Sequence, residues 1–326
     1  MIWVVWRQQR AQLITLLALL VVAGGAAVVL RAAMVSYVDG HGLNSCLASG
    51  LGTGSTCRGG AQAFASAWFD SMKVGQLLII ALPLVIGLFC GSPLFARELE
   101  HGTHVLAFTQ SVSRLRWMAS KFVVGLGPAL IVVVALQLLV EWWVDAAGAM
   151  GPMLDGPYYY SNFSTSGLAP AAYTVFAFVV GMFVGAATKR TLVAMTVTLG
   201  VFVVLRYFLY SMQRHLLPTQ RVFSDDPWRS PDVHPGLIAG EGYVNANGAV
   251  LSENQVLNLV RCASSDGTRL FPDETACYRH FGLTKSFVDV IPVDAAGTMH
   301  LVEAGIYVGV ALVLLLATGW AVRRQA

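Results

Sequence analysis

Residues 169–210 read APAAYTVFAFVVGMFVGAATKRTLVAMTVTLGVFVVLRYFLY, two apolar runs parted only by Thr188, Lys189, Arg190 and Thr191. Each run, 169–187 and 192–210, is long enough for a helix to cross a hydrocarbon core of roughly 30 Å. The four polar residues between them leave room for a tight turn and nothing more, which predicts a membrane-spanning helical hairpin. Working outward, four more runs have the same character, at about 13–35, 75–95, 122–144 and 301–322. Lipid offers no partner to a backbone N–H or C=O, so such runs must be helices or closed barrel strands. Alternation over about ten residues, the mark of a barrel strand, is absent.

Composition agrees. Of 326 residues, 12% are charged and 56% hydrophobic, against roughly 25% charged in a soluble domain. A water-facing globular fold is excluded, as are disordered and collagen-like chains. The formal charge is only +3, and no Lys/Arg block forms a phosphate-binding stripe, so no nucleic-acid partner is expected. The expected fold is an all-α polytopic membrane protein of six transmembrane helices.

Lys and Arg are retained on the cytoplasmic side of short loops. With the N-terminus inside, the inner segments hold Arg7, Arg10, Arg97, Arg114, Arg116, Lys121, Lys189, Arg190, Arg323 and Arg324, whereas the short outer loops hold Arg58 and Lys73. All four inner segments agree, so N-in, C-in topology in a bacterial cytoplasmic membrane is expected. The first run continues past the length of a signal-peptide core, so it is read as retained. Before it, residues 1–12 include Trp3, Trp6, Arg7 and Arg10 and suit an interfacial segment. The chain is thus expected to divide into 1–12, helices one to five over 13–210, an extracytoplasmic domain over 211–300, and helix six with a basic tail over 301–326. In that domain Ser252 with Gln255 resembles a capping box opening a short helix, and Asp225 through Pro235 reads as loop.

Four of five cysteines fall in outer segments, where the environment is oxidising. Cys46 with Cys57 and Cys262 with Cys277 is the simplest of three connectivities, with cross-pairing and free thiols as the alternatives. Cys90 lies inside the second span and reads as a packing residue. No metal site is expected: Glu98, His101 and His104 have a suggestive spacing, but Gly102 interrupts the helix it needs. The glycine-rich run from Gly50 to Ser55 lacks the Lys-Ser/Thr of a phosphate loop, and neither a Gly-x-Ser-x-Gly elbow nor a His-Glu-x-x-His motif occurs. The chain is not expected to be an enzyme. Arg31, Glu141, Arg206 and Glu303 sit near the outer ends of their spans, with matching depth and opposite signs. They snorkel to headgroups or form an outer gate of ion pairs.

The conspicuously polar inner connection is 97–121. Its segment Gly91-Ser92-Pro93-Leu94-Phe95-Ala96-Arg97-Glu98-Leu99-Glu100-His101-Gly102-Thr103, continuing Thr109-Gln110-Ser111-Val112-Ser113-Arg114 and then Arg116-Trp117 and Lys121, closely resembles the intracellular loop of type 2 ABC transporter permeases, particularly actinobacterial ones. Trp6-Arg7-Gln8-Gln9-Arg10 resembles that family's approach to its first span, and Glu303-Ala304-Gly305-Ile306-Tyr307 its last. The resemblance implies a six-helix permease half pairing with a second copy or homologue, each docked on a separate ABC ATP-binding subunit. ATP and magnesium are expected in that partner and no cofactor in this chain. It further implies that 97–121 couples to the ATPase, with Arg97, Glu98, Glu100, Gly102, Thr103, Gln110, Ser113, Arg114 and Arg116 as contact or positioning residues. Pro83, Gly125, Gly127 and Pro128 are candidate bending or close-packing points. The implied function is ATP-driven export of a hydrophobic or amphiphilic substrate, such as a drug-like metabolite, peptide or lipid. The alternative is a non-transporting sensing or resistance module whose extracytoplasmic domain binds a ligand.

Overall fold

The structure, a computed structural model, describes residues 2–49, 55–100, 114–263 and 269–324. The chain forms two compact units, one comprising Met1–Asp155, Tyr159–Tyr210 and His300–Ala326, the other Gly156–Tyr158 and Ser211–Met299.

The first unit is helical. Its elements are α1 (Ile2–Gly40), α2 (Asn44–Ser49), α3 (Ser55–Ile86), α4 (Pro93–Glu100), α5 (Arg114–Asp145), the short α6 (Tyr160–Thr165), α7 (Ala169–Thr188), α8 (Thr191–Met212) and α11 (Ala296–Arg324). Among the described residues, six helices are long and apolar enough to cross a membrane, and the protein is a multi-pass membrane protein. The predicted hairpin is present. Pro170 lies in the first turn of α7, where its missing N–H costs nothing. Lys189 closes α7 in a left-handed conformation at φ 55°, its N–H donating to the Gly185 carbonyl at 3.1 Å. The chain then re-enters as α8 two residues later.

Burial ranks the helices. The span in α7 is 67% buried and those in α1, α8 and α11 only 17%, 22% and 22%, so α7 forms the centre and the other three offer apolar flanks to lipid. Around α7, Phe176 packs on Phe202 and Tyr307. A second cluster joins Phe64, Met72 and Ile79 of α3 to Val133, Leu136 and Trp143 of α5. The residues before the first apolar run continue α1 without a turn: α1 has 39 residues, about 58 Å at 1.5 Å per residue.

Cys46 is bonded to Cys57 with their Cα atoms 5.5 Å apart, stapling α2 to the start of α3.

The second unit corrects the all-α expectation. It contains a four-stranded antiparallel sheet in the order β1-β4-β2-β3, built from β1 (Gln220–Ser224), β2 (Leu237–Asn245), β3 (Val250–Ser252) and β4 (Leu283–Ile291). The β2–β3 turn closes because the Asn245 side chain accepts from the N–H groups of Asn247 and Ala249, while Gly248 takes φ 79°. Two short helices flank the sheet, α9 (Glu253–Leu259) and α10 (Glu274–His280). Ser252 and Gln255 form the capping box of α9. Cys262 is bonded to Cys277 of α10, Cα to Cα 5.6 Å.

Candidate functional site

The second span does not run straight into its polar end. Between α3 and α4, residues Gly87–Gly91 form a single π-helical turn, an irregularity that recurs at functional positions in helices. The glycines of this stretch let it pack closely against α7. Gly87-Leu-Phe-Cys-Gly91 and Gly181-Met-Phe-Val-Gly185 are both small-xxx-small motifs, which let helix backbones approach closely. A Cβ on Gly91 would lie 2.5 Å from the Phe178 carbonyl oxygen, and one on Gly181 2.6 Å from that of Gly87. Sequence reasoning missed this contact, although the paired four-residue spacing was readable. Ser92 follows, its hydroxyl within 3.3 Å of the Thr198 hydroxyl of α8.

Pro93 then opens α4, whose Leu94, Phe95 and Ala96 are buried while Arg97 and Glu100 are exposed. Phe95 stacks on Trp117 of α5, ring centroids 5.0 Å apart. Glu98 pairs with Lys121 of α5, whose side chain is only 5% exposed and whose ammonium lies 4.7 Å from the Trp117 ring centroid. Glu100 reaches α8: its Oε2 accepts from the Thr191 hydroxyl at 2.9 Å and the Thr191 backbone N–H at 3.3 Å. That N–H is one of the orphan donors of a helix start, where a carboxylate also meets the positive end of the helix dipole. Glu98 and Glu100 therefore tie one eight-residue helix to two membrane helices.

The other residues of the expected coupling set divide. Gly102, Thr103, Gln110 and Ser113, with His101 and His104, lie outside the described residues. Arg114 opens α5, and Arg116 is exposed one turn before Lys121. Among the described residues no group of His, Cys, Asp or Glu could hold a metal ion.

The four residues read as an outer gate are not brought into one network. Arg31 lies over the Trp142 ring at 3.9 Å and donates to the Trp142 carbonyl. Glu141 accepts from Gln137 at 3.1 Å. Arg206 and Glu303 do share a buried cluster, with a tyrosine between them: Arg206 donates to Tyr160 Oη and Ser164 Oγ and sits 3.9 Å from the Tyr173 ring centroid, while Tyr173 donates to Glu303 at 2.7 Å. Depth along a span was legible, but the direction in which each side chain points around its helix was not.

No curated protein and no solved structure matches this chain. Residues 17–214 match the family described as ABC-2 membrane transporter related. The match runs from α1 through α8, takes in α4 and both of its glutamate ties, and spans more than half of the 326 residues; the chain belongs to the ABC-2 membrane transporter related family.

Proposed function

We propose that the chain is the membrane-spanning permease subunit of an ATP-driven ABC exporter, moving a hydrophobic or amphiphilic substrate with a second permease half and a separate ATP-binding subunit. The observation that carries this reading, beside the family, is the double tie of α4. A helix held at one face by Lys121 of α5 and at its end by the start of α8 converts a push on the 97–121 segment into displacement of two spans. On the N-in topology read from the sequence, that segment faces the cytoplasm. The partner subunit binds ATP and magnesium and supplies the hydrolysis. ATP moves the equilibrium between inward- and outward-facing arrangements only through its different affinity for the two. Glu98 and Glu100 then act as transmission residues rather than as the docking surface itself.

The test separates docking from transmission. In vesicles containing the permease and its co-purifying ATP-binding subunit, Glu98→Gln and Glu100→Gln should leave co-purification intact. They should reduce substrate-stimulated ATP hydrolysis and vectorial accumulation by at least about five-fold, the low end of a typical coupling free energy. Unchanged transport in both variants would refute the transmission role. Ligand-stimulated hydrolysis without accumulation would favour a sensing module.

A further inference from the structure

The short helix α6 differs in kind from the spans around it. Its six residues make about 9 Å of helix, too little to cross a membrane, yet Asn162, Phe163, Ser164 and Thr165 are buried. Three of these four are polar. What holds α6 is polar as well, and it comes from four spans. Gln76 of α3 donates to Asn162 Oδ1 at 2.9 Å. Arg206 of α8 donates to Tyr160 Oη at 3.0 Å and to Ser164 Oγ at 2.9 Å. Just past the helix, Gln137 of α5 donates to the Gly167 carbonyl at 2.8 Å. From α11, the His300 ring stacks on Phe163 with centroids 4.0 Å apart, and its Nε2 lies 3.4 Å from Ser166 Oγ. Apolar packing forfeits its burial when water enters, whereas a hydrogen bond is exchanged for water at small net cost. The latched arrangement also leaves Gln76 Oε1 and His300 Nδ1 buried with no hydrogen-bond partner among the described residues, a cost that admitted water would relieve.

We propose that α6 is the outer gate of the permease, a plug latched by polar bonds that water replaces when the gate opens. The inference rests on the export reading. On the N-in topology read from the sequence, the connection between α5 and α7 that carries α6 lies on the outer side. Positive-φ glycines bracket the helix in the chain, Gly156 at 87° and Gly167 at 61°, small residues of the kind that serve as hinges. The drive comes along α8. Its first residue, Thr191, accepts the hold of Glu100, and Arg206 stands fifteen residues further on, about 22 Å along the helix. Displacement of α8 by α4 therefore draws the Arg206 guanidinium off Tyr160 and Ser164, and the remaining ties to α3, α5 and α11 pass to water.

The experiment needs no knowledge of the substrate. Thr165→Cys places a thiol on the buried side of α6 while keeping every tie to the four spans, since the Thr165 hydroxyl bonds only to the Ser161 and Asn162 carbonyls. The full chain with its co-purifying ATP-binding subunit is reconstituted in vesicles, and a membrane-impermeant maleimide is applied to the outer side; the chain without the added thiol gives the background. ATP with magnesium should speed labelling at least about five-fold, the low end of a typical coupling free energy. Phe176→Cys, in the buried centre of α7, should label no faster with ATP. Gln76→Leu, which unlatches α6 from α3, should speed labelling of Thr165→Cys without ATP by about five-fold, the value of one neutral hydrogen bond. Where Thr165→Cys fails to fold, Ser166→Cys carries the same measurement. ATP hydrolysis with labelling unchanged would overturn the gate and leave the export reading standing, and equal acceleration at Phe176→Cys would overturn it as general loosening. A chain that supports no ATP hydrolysis would overturn the export reading and the gate with it.

Discussion

Arg206 shows how a charge is kept inside an apolar bundle. Its guanidinium has two hydroxyl acceptors and an aromatic face, from Tyr160, Ser164 and Tyr173, and the Tyr173 hydroxyl passes on to the Glu303 carboxylate. Removing the cation takes away the group that Tyr160, Ser164 and the Tyr173 ring surround, so Arg206→Ala is expected to lower stability by about 3 kcal/mol. Tyr173→Phe removes one interhelical hydrogen bond and should cost about 1 kcal/mol. Thermal unfolding of the purified variants in one detergent tests the order; a Tyr173→Phe loss equal to that of Arg206→Ala would mean that the Tyr173 hydroxyl, not the charge, organises the cluster. At this scale the sequence was half legible. It put Arg206 and Glu303 at the same depth. It held no sign that Glu98 meets Lys121 or that Glu100 meets Thr191, partners 23 and 91 positions away, because those pairings depend on helices packing side by side.

Among elements, the contact of the π turn with α7 is the least forgiving. Gly91 and Gly181 face backbone atoms, which have no rotamer to yield. Gly91→Leu and Gly181→Val should each cost at least the roughly 1–3 kcal/mol of ordinary overpacking, seen as loss of the monodisperse peak in size-exclusion chromatography. Gly127 is the control, with nothing within 4 Å of an added Cβ; Gly127→Ala should elute normally. Apolar run length exposed the six spans, since that signal needs no partner. The strands left no comparable signal: β1 is almost wholly exposed and β2 departs from strict alternation at a bulge between Ile238 and Gly240. The capping box of α9 was readable because its two residues lie three apart.

For the molecule as a whole, the second unit contributes a response to pH at both ends of the scale. Hydrogen bonds from Arg221 to Asp289, from Thr275 and the Trp228 N–H to Asp226, and from Lys285 to Asp225 hold those carboxyls below the usual range. Their stabilisation is present above the unfolded value of about 3.9 and is lost as pH falls through the lower folded values. Burial pushes the phenols of Tyr158 and Tyr243 up to about 12. Their contribution is present below the unfolded value of about 10 and is lost as pH rises toward 12. Hydrogen exchange in the full chain should therefore show β4 protected between about pH 4 and pH 10 and loosened on either side. Loosening confined to the first unit would contradict this. The five-residue turn at Gly87–Gly91 also fixes how the chain tolerates a change of length. Such a turn accommodates one residue more than an α-helix does, so deleting Phe89 would restore a regular helix without breaking the span. Everything beyond it would keep its phase, because the turn already absorbs the extra residue. A chain shorter by one residue there would keep its six spans and hold Glu98 and Glu100 against Lys121 and Thr191, whereas a deletion in the regular helix before the turn, where nothing absorbs it, would swing both away by about 100°.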